Sequence, residues 1–204
     1  MKKLFFTGAL MLLVTFAFSQ SIIPKAGATV SKWGGDDAEN FESNAGFTIG
    51  LGFNFPIGTG PISLQPELNF IQKGWKVEDD GTSVKTKLNY LEIPILAKAT
   101  FGEGTKFYLN AGPSIGFGLG GKLKAKEGSI SGELDIKFGD GDDEDAFYIE
   151  KRTDIGLQLG GGLLIADKVM IDIRYGLGLS SLFEDVEVKN NVLQFMVGIP
   201  LNLK

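Results

Sequence analysis

The clearest pattern of apolar and polar positions lies in residues 88–101, LNYLEIPILAKATF. Its odd positions are apolar from Leu91 to Phe101, whereas the even positions include Glu92 and Lys98. A repeat of two residues places these sets on opposite faces of a β-strand. The segment is therefore predicted to form a strand with one apolar face and one charged face.

Seven further segments repeat this two-faced pattern. The eight predicted strands cover residues 22–33, 44–55, 61–73, 88–101, 106–120, 151–165, 168–180 and 191–203. Each has the ten or so residues that a strand tilted by about 45° needs to cross the hydrocarbon layer. The pattern predicts an all-β protein, an eight-stranded antiparallel up-and-down transmembrane β-barrel, with an apolar outer face and a polar lumen.

A soluble barrel would show the same alternation with its faces reversed. Here the polar face is mostly Gly, Ser, Thr and Asn, as at Gly50, Gly52, Gly116 and Gly118. Such residues are too small and too neutral for a typical solvated surface, but they suit a narrow lumen. The composition of this face therefore favours the membrane barrel.

The predicted connections alternate between long and short. Long ones cover about 34–43, 74–86, 126–150 and 182–190, and short ones about 56–60, 102–105 and 166–167. Outer-membrane barrels have longer external loops than periplasmic turns. Both termini are thus predicted to be periplasmic, and the external rim, which holds most of the 25 acidic residues, is predicted to be strongly acidic.

Aromatic residues near the predicted strand ends suggest interfacial belts. Phe53, Phe55, Phe101 and Phe107 would form the periplasmic belt, and Trp33, Trp75 and Tyr148 the external one.

Four prolines fall inside predicted strands, namely Pro66, Pro94, Pro113 and Pro200. Each removes a hydrogen-bond donor from the ladder. Since a closed barrel has no edge strand, we expect local bulges or water-filled gaps there, and a strand count that differs from eight by up to two.

The N-terminal residues 1–19 are predicted to be a secretory signal peptide, followed by a barrel domain over 20–204. Lys2 and Lys3 precede an apolar run over 4–18, and Ala17 and Ser19 fit a small-x-small cleavage site after Ser19. A retained membrane anchor is disfavoured because the run is shorter than the roughly 20 residues of a spanning helix.

Composition narrows the chemistry. The chain has no Cys and no His, so thiolate metal sites and the commonest general base are absent. The formal net charge is −5, and an acidic chain does not attract nucleic acid electrostatically. These features predict a protein that is not an enzyme, needs no cofactor and has no nucleic-acid partner.

Strand parity places seven charged side chains in the lumen: Lys25, Glu67, Glu92, Lys98, Asp154, Asp172 and Arg174. They are predicted to form an ion-paired plug, because an eight-stranded barrel is only wide enough inside for side chains. Buried charges must be paired, so Arg174 is expected to contact Glu67, Glu92 or Asp172. The alternative is a polar conduit or a gate.

An acidic run includes Asp140, Asp142, Asp143 and Asp145, a weak candidate for a metal site. It lacks the residue order of an EF-hand. A solvated acidic loop is the favoured interpretation, and weak binding of a divalent cation beside anionic lipid is the alternative.

Four segments together resemble the PorT-type, porin-like outer-membrane β-barrel family: residues 65–68 (QPEL), 88–94 (LNYLEIP), 111–113 (AGP) and 171–178 (IDIRYGLG). The resemblance implies an eight-stranded barrel in a bacterial outer membrane, whose partners are outer-membrane lipids and the outer-membrane assembly machinery. Most members have no assigned activity. An aromatic C-terminal residue is common among outer-membrane barrels, whereas this chain ends in Leu203 and Lys204.

The predicted function is therefore non-enzymatic: an outer-membrane barrel with a filled lumen and acidic external loops, with a structural role in the envelope or an extracellular or envelope protein partner. A small-solute or ion channel is the first alternative. An accessory of a secretion or assembly system is the second, and it rests on family analogy alone.

Overall fold

The structure is a computed structural model that describes residues 21–35, 41–79, 81–128, 130–139, 141 and 146–202. The predicted signal peptide lies outside these residues. None of the described residues belongs to a helix long and apolar enough to cross a membrane.

The described residues form twelve strands. They are β1 (Ser21–Gly34), β2 (Glu42–Pro56), β3 (Ile62–Lys73), β4 (Trp75–Asp79), β5 (Thr82–Phe101), β6 (Thr105–Glu127), β7 (Ile130–Phe138), β8 (Ala146–Ile149), β9 (Thr153–Ile165), β10 (Val169–Gly178), β11 (Lys189–Gly198) and β12 (Leu201–Asn202).

Eight of these strands pair in a continuous circuit. Antiparallel ladders join β1 to β2, β2 to β3, β3 to β5, β5 to β6, β6 to β9, β9 to β10, β10 to β11, and β11 back to β1. Ala26 illustrates the closure, since it is in register with Ile49 on one side and with Val197 on the other. The members of the circuit are the eight strands that the hydrophobic pattern predicts.

The two faces of the sheet differ as the alternation predicts. Leu159 is 65% exposed on the outer face, whereas its neighbour Gln158 is 1% exposed on the inner face. The same contrast recurs at Leu109 and Asn110, and at Ile173 and Arg174. The large apolar side chains therefore point outward, and the polar side chains fill the interior.

The long connections contain more strand than predicted. β4 pairs with β2 and with β5. β7 pairs antiparallel with β6, and β8 pairs parallel with β7. The described parts of residues 74–86 and 126–150, which are predicted as loops, thus largely form an extension of the sheet beyond the circuit. The reason lies in further alternation, because Val77, Val84 and Leu123 pack against buried residues inside that extension.

The prolines interrupt the ladder without shifting its register. Between β3 and β5, Pro66 pairs with Ile95, and the next pair is Asn69 with Glu92. The two pairs have the same register on either side of the gap. The register shift between β5 and β6 lies instead at Asn89 and Tyr90, opposite Gly120, whose φ is +135°. Of the two expected features, the prolines therefore show ladder gaps, whereas the bulge lies at this positive-φ glycine. β11 simply ends before Pro200.

Candidate functional site

Glu67 on β3 is the centre of one group of buried charges. The Arg174 guanidinium on β10 donates to both Glu67 oxygens, from Nη1 at 2.8 Å and from Nη2 at 3.2 Å. Lys25 on β1 pairs with the same carboxylate. Nη2 of Arg174 also donates to Asp172 at 3.1 Å. Three strands from different parts of the circuit thus meet at one carboxylate.

Neutral donors add hydrogen bonds to both carboxylates in this group, although Oδ1 of Asp172 has no partner among the described residues. Gln65 donates to Glu67 at 2.7 Å and Asn69 donates to it at 3.0 Å. The Tyr108 hydroxyl donates to Asp172 at 2.9 Å. Buried carboxylates need such partners, because an ion in a low-dielectric interior is costly unless it is paired and hydrogen-bonded.

A second group lies nearer the long connections. The Lys73 ammonium contacts Glu92 at 2.7 Å and Asp154 at 3.0 Å, and Asn190 donates to Asp154 at 2.9 Å. Gln158 links the two groups, since its Nε2 donates to Glu92 at 2.7 Å and its Oε1 accepts from Arg174 at 3.1 Å. The interior is therefore one connected polar network.

Lys73 is the member of this network that the sequence analysis missed. It lies six residues after Glu67 and so shares its face, but Ile71 interrupts the polar series and Lys73 ends the predicted strand. With Lys73 included, the buried charges of the described residues are four cations and four anions. The interior therefore carries no formal net charge.

Lys98 is set apart from the ion pairs. Within the described residues its ammonium contacts Gln65 Oε1 at 3.1 Å and Met170 Sδ at 3.7 Å, and it lies 4.0 Å from the centre of the Tyr108 ring. It lies at the inner limit of a cavity of about 820 Å³, which is also lined by the turn residues Pro61, Gly102 and Asp167. Within the described residues, this cavity therefore reaches from the short turns to Lys98.

The cavity at the level of the second group is small. It is lined by Lys73, Glu92 and Asp154 among the described residues and measures about 10 Å³, whereas a single water needs roughly 10–15 Å³ by this measure.

A second closure lies at the long-connection end. Trp33 and Trp75 are 5% and 7% exposed, with ring centres 5.0 Å apart. Phe41 lies 4.6 Å from Trp75, and Phe183 lies 5.9 Å from Trp33. We call these four residues the aromatic cap.

The aromatic cap continues into an apolar cluster inside the sheet extension. Its other fully buried members are Ile71, Leu88, Tyr90, Ile136, Phe138, Ile149, Leu182, Val188 and Val192. The predicted external belt is therefore wrong for Trp33 and Trp75, which face inward. Strand parity carries the correct signal for Trp33, since it shares the face of Lys25, Thr29 and Ser31.

The predicted periplasmic belt is confirmed only in part. Phe101 and Phe107 are 40% and 53% exposed and stack with centres 5.3 Å apart. Phe53, however, is only 5% exposed. The preceding Gly52 faces Gln65 and Glu67 in the lumen, so Phe53 keeps the outer-face parity of its strand but is covered there.

The metal candidates Asp140, Asp142, Asp143 and Asp145 lie outside the described residues. No group of three or more Asp and Glu side chains suited to a metal ion occurs within the described ranges.

An apolar exterior around a closed circuit of strands with a charged interior defines an integral β-barrel of the outer membrane. The family model for the outer membrane protein beta-barrel domain matches residues 11–184. The chain belongs to this family, and the protein is located in the outer membrane.

Solved structures of similar fold share little sequence with the chain. Ail, the attachment invasion locus protein of Yersinia pestis, solved in complex with the heparin analogue sucrose octasulfate, is 14% identical, with a TM-score of 0.48 over 89% of this chain and 99% of that one. Neisserial surface protein A is 15% identical, with a TM-score of 0.42 over 89% and 97%. The outer membrane enzyme PagL is 14% identical, with a TM-score of 0.42 over 87% and 99%. None of the curated proteins compared with the chain matches it in sequence.

Proposed function

We propose that the chain is an eight-stranded transmembrane barrel that does not conduct solutes and has no catalytic activity. Its role is structural in the envelope, or it presents its external extension to a protein partner at the cell surface. The observation that carries this proposal is the double closure of the interior, by the charge network and by the aromatic cap.

The two closures are chemically different and lie one above the other. The network holds Arg174 and Glu67 at 0% side-chain exposure, and the apolar cluster above it includes Ile71 and Leu88 at 0% exposure. Opening a path would require breaking several buried ion pairs and also exposing tryptophans to water. Both changes cost free energy, so we expect no opening of the lumen by thermal fluctuation.

A small-solute or ion channel is the alternative. Gly50, Gly52 and Gly116 on the inner face and the open cavity below Lys98 support it. The cavity, however, ends at the network, and the charges beyond it are paired and desolvated. A channel would need them hydrated.

The PorT-type assignment and a role in secretion or assembly rest on the four sequence segments that resemble that family. Within these segments Glu67, Glu92, Asp172 and Arg174 all belong to the lumen network. The resemblance therefore supports a shared barrel interior, and it does not by itself support a shared partner. Crosslinking in cells followed by pull-down tests the accessory role, which requires a reproducible envelope protein partner.

The proposal is tested by refolding residues 20–204 into detergent micelles. A folded transmembrane barrel is expected to migrate differently on SDS gels before and after boiling. The heat-sensitive form is then added to planar bilayers, where we expect no stable conductance steps. Stable channels would overturn the closed lumen in favour of the alternative, and a chain that folds in buffer without detergent would overturn the membrane barrel itself.

A further inference from the structure

Five lysines lie together on the outer face of the sheet where β5 and β6 extend beyond the circuit. We propose that this lysine cluster, Lys85, Lys87, Lys122, Lys124 and Lys126, binds the phosphate groups of anionic lipid in the outer leaflet. The inference rests on the proposed transmembrane barrel, with its long connections on the external side.

The cluster is built from like charges in direct register. Lys85 lies opposite Lys124 and Lys87 lies opposite Lys122 on the antiparallel partner strand. All five side chains are exposed. Like charges at directly opposed positions destabilise a sheet, so the pairing has no structural advantage of its own. A bound anion would remove the repulsion.

Neighbouring carboxylates neutralise only part of the cluster. Glu133 on β7 pairs with Lys122 and with Lys124, and Glu78 lies 3.5 Å from Lys85. Asp135 on β7 is in register with Lys122 and is the third carboxylate beside the five lysines. Within the described residues, Lys87 and Lys126 have no carboxylate at ion-pair distance. The face therefore keeps excess positive charge beside a rim whose sequence is strongly acidic.

The position of the lysine cluster matches the headgroup level. Leu119 on β6 is 59% exposed on the apolar outer face, and Lys122 follows it three residues later, about 10 Å along a strand. On β5 the half-buried Leu91 precedes Asn89 and Lys87 in the outward direction. The lysines thus begin where the apolar surface ends.

A groove of about 340 Å³ gives the lysine cluster a binding shape. Lys85, Lys87, Lys122 and Lys124 line it together with the amide side chains of Gln72 and Asn89. Ammonium and amide groups are hydrogen-bond donors that suit phosphate oxygens. Because the groove lies on the outside of the sheet just above the apolar surface, a lipid can place its phosphate there while its acyl chains stay beside Leu91 and Leu119.

The test uses the refolded mature chain in detergent with bisphosphorylated lipid A as the probe. Bound lipid is measured by native mass spectrometry. The variant Lys87→Gln/Lys122→Gln removes one opposed pair, and Lys106→Gln/Lys168→Gln removes the same charge at the short-turn end. We expect the first variant to lower the affinity about ten-fold or more, and the second to leave it unchanged. Wild-type affinity is expected to be lower for monophosphorylated lipid A.

Three outcomes would overturn the inference: equal binding by both variants, equal binding of phosphatidylcholine, or full displacement of lipid A by millimolar inorganic phosphate. The last would indicate a site for a free anion. A heat-sensitive gel shift is recorded for every variant. A variant without the shift has not folded into a barrel, and a variant that keeps the shift but binds less lipid has lost binding through the lysines.

Discussion

Arg174 and Glu67 form a bidentate ion pair across the barrel interior, although 107 residues separate them in the chain. One lies on β10 and the other on β3, strands that share no ladder. The pair therefore ties opposite walls of the circuit together and is expected to stabilise the folded barrel.

Glu67→Gln is expected to destabilise the folded barrel by about 3–5 kcal/mol, since it leaves two buried cations without their shared carboxylate. Urea unfolding in lipid vesicles measures this change. Asp167→Asn is the control, because its pair with Lys106 lies at the surface and is expected to contribute only about 0–1 kcal/mol. Equal effects of the two substitutions would contradict the network.

Lys73→Met and Lys98→Met are expected to differ. Lys73 serves two carboxylates, so its loss should cost about 3–5 kcal/mol. Lys98 has no carboxylate partner within the described residues, and replacing a buried unpaired cation by an apolar side chain should be neutral or stabilising. The free energies of unfolding of both variants, measured under one set of conditions, show which substitution is more destabilising. A larger loss of stability at Lys98 would contradict the assigned ion pairs.

The two tryptophans provide a test that needs no substitution. They are the only Trp residues of the chain, and both lie in the aromatic cap. We expect blue-shifted emission that neither iodide in water nor brominated lipid in the membrane quenches strongly. Strong quenching by brominated lipid would instead indicate that the tryptophans lie in the predicted interfacial belt.

Gly162→Ala is expected to destabilise the barrel by about 1–3 kcal/mol. Gly162 lies between Tyr108 and Asp172 in the sheet, and an added Cβ would lie 2.6 Å from the Tyr108 hydroxyl and 1.8 Å from the carbonyl oxygen of Ile171. The substitution should therefore break the bond from Tyr108 to Asp172. Gly132→Ala is the control, since its Cβ would meet nothing within 4 Å.

The hairpin of β6 and β7 should keep its ion pairs in acid. Hydrogen bonds from Lys122 and then Lys124 lower the pKa of Glu133 from 4.5 to about 2. Because this carboxyl has a lower pKa when folded, its contribution to the stability of the folded hairpin is present above pH 4.5 and is lost as the pH falls towards 2. Carbon NMR of the Glu133 carboxyl checks this, and Lys122→Gln/Lys124→Gln should return its titration to about the ordinary value.

Strand parity predicted the circuit and most of its interior, because a lumen face and a lipid face differ so strongly in chemistry. It placed Lys25, Glu92 and Asp154 inside without any knowledge of their partners. It could not show that Gln158 joins the two charge groups, since pairing across a lumen depends on which strands lie opposite each other.

The errors at Trp33, Trp75 and Lys73 have one physical origin. Position near a strand end predicts a belt for the two tryptophans and hides Lys73, although all three residues continue the inner face. The sheet extends further beyond the apolar surface than expected, so residues near predicted ends are still inside a structured interior. An apolar core in that extension is not distinguishable from an interfacial belt by residue type.

The arrangement around Glu67 also constrains the order of assembly. Its partners lie on β1 and β10, near opposite ends of the chain. If strands enter the membrane in sequence, Glu67 stays hydrated and unpaired with Arg174 until nearly the whole chain has inserted. The final strands then bring Arg174 to Glu67 and close the circuit, and we expect insertion to become difficult to reverse only when this pair forms.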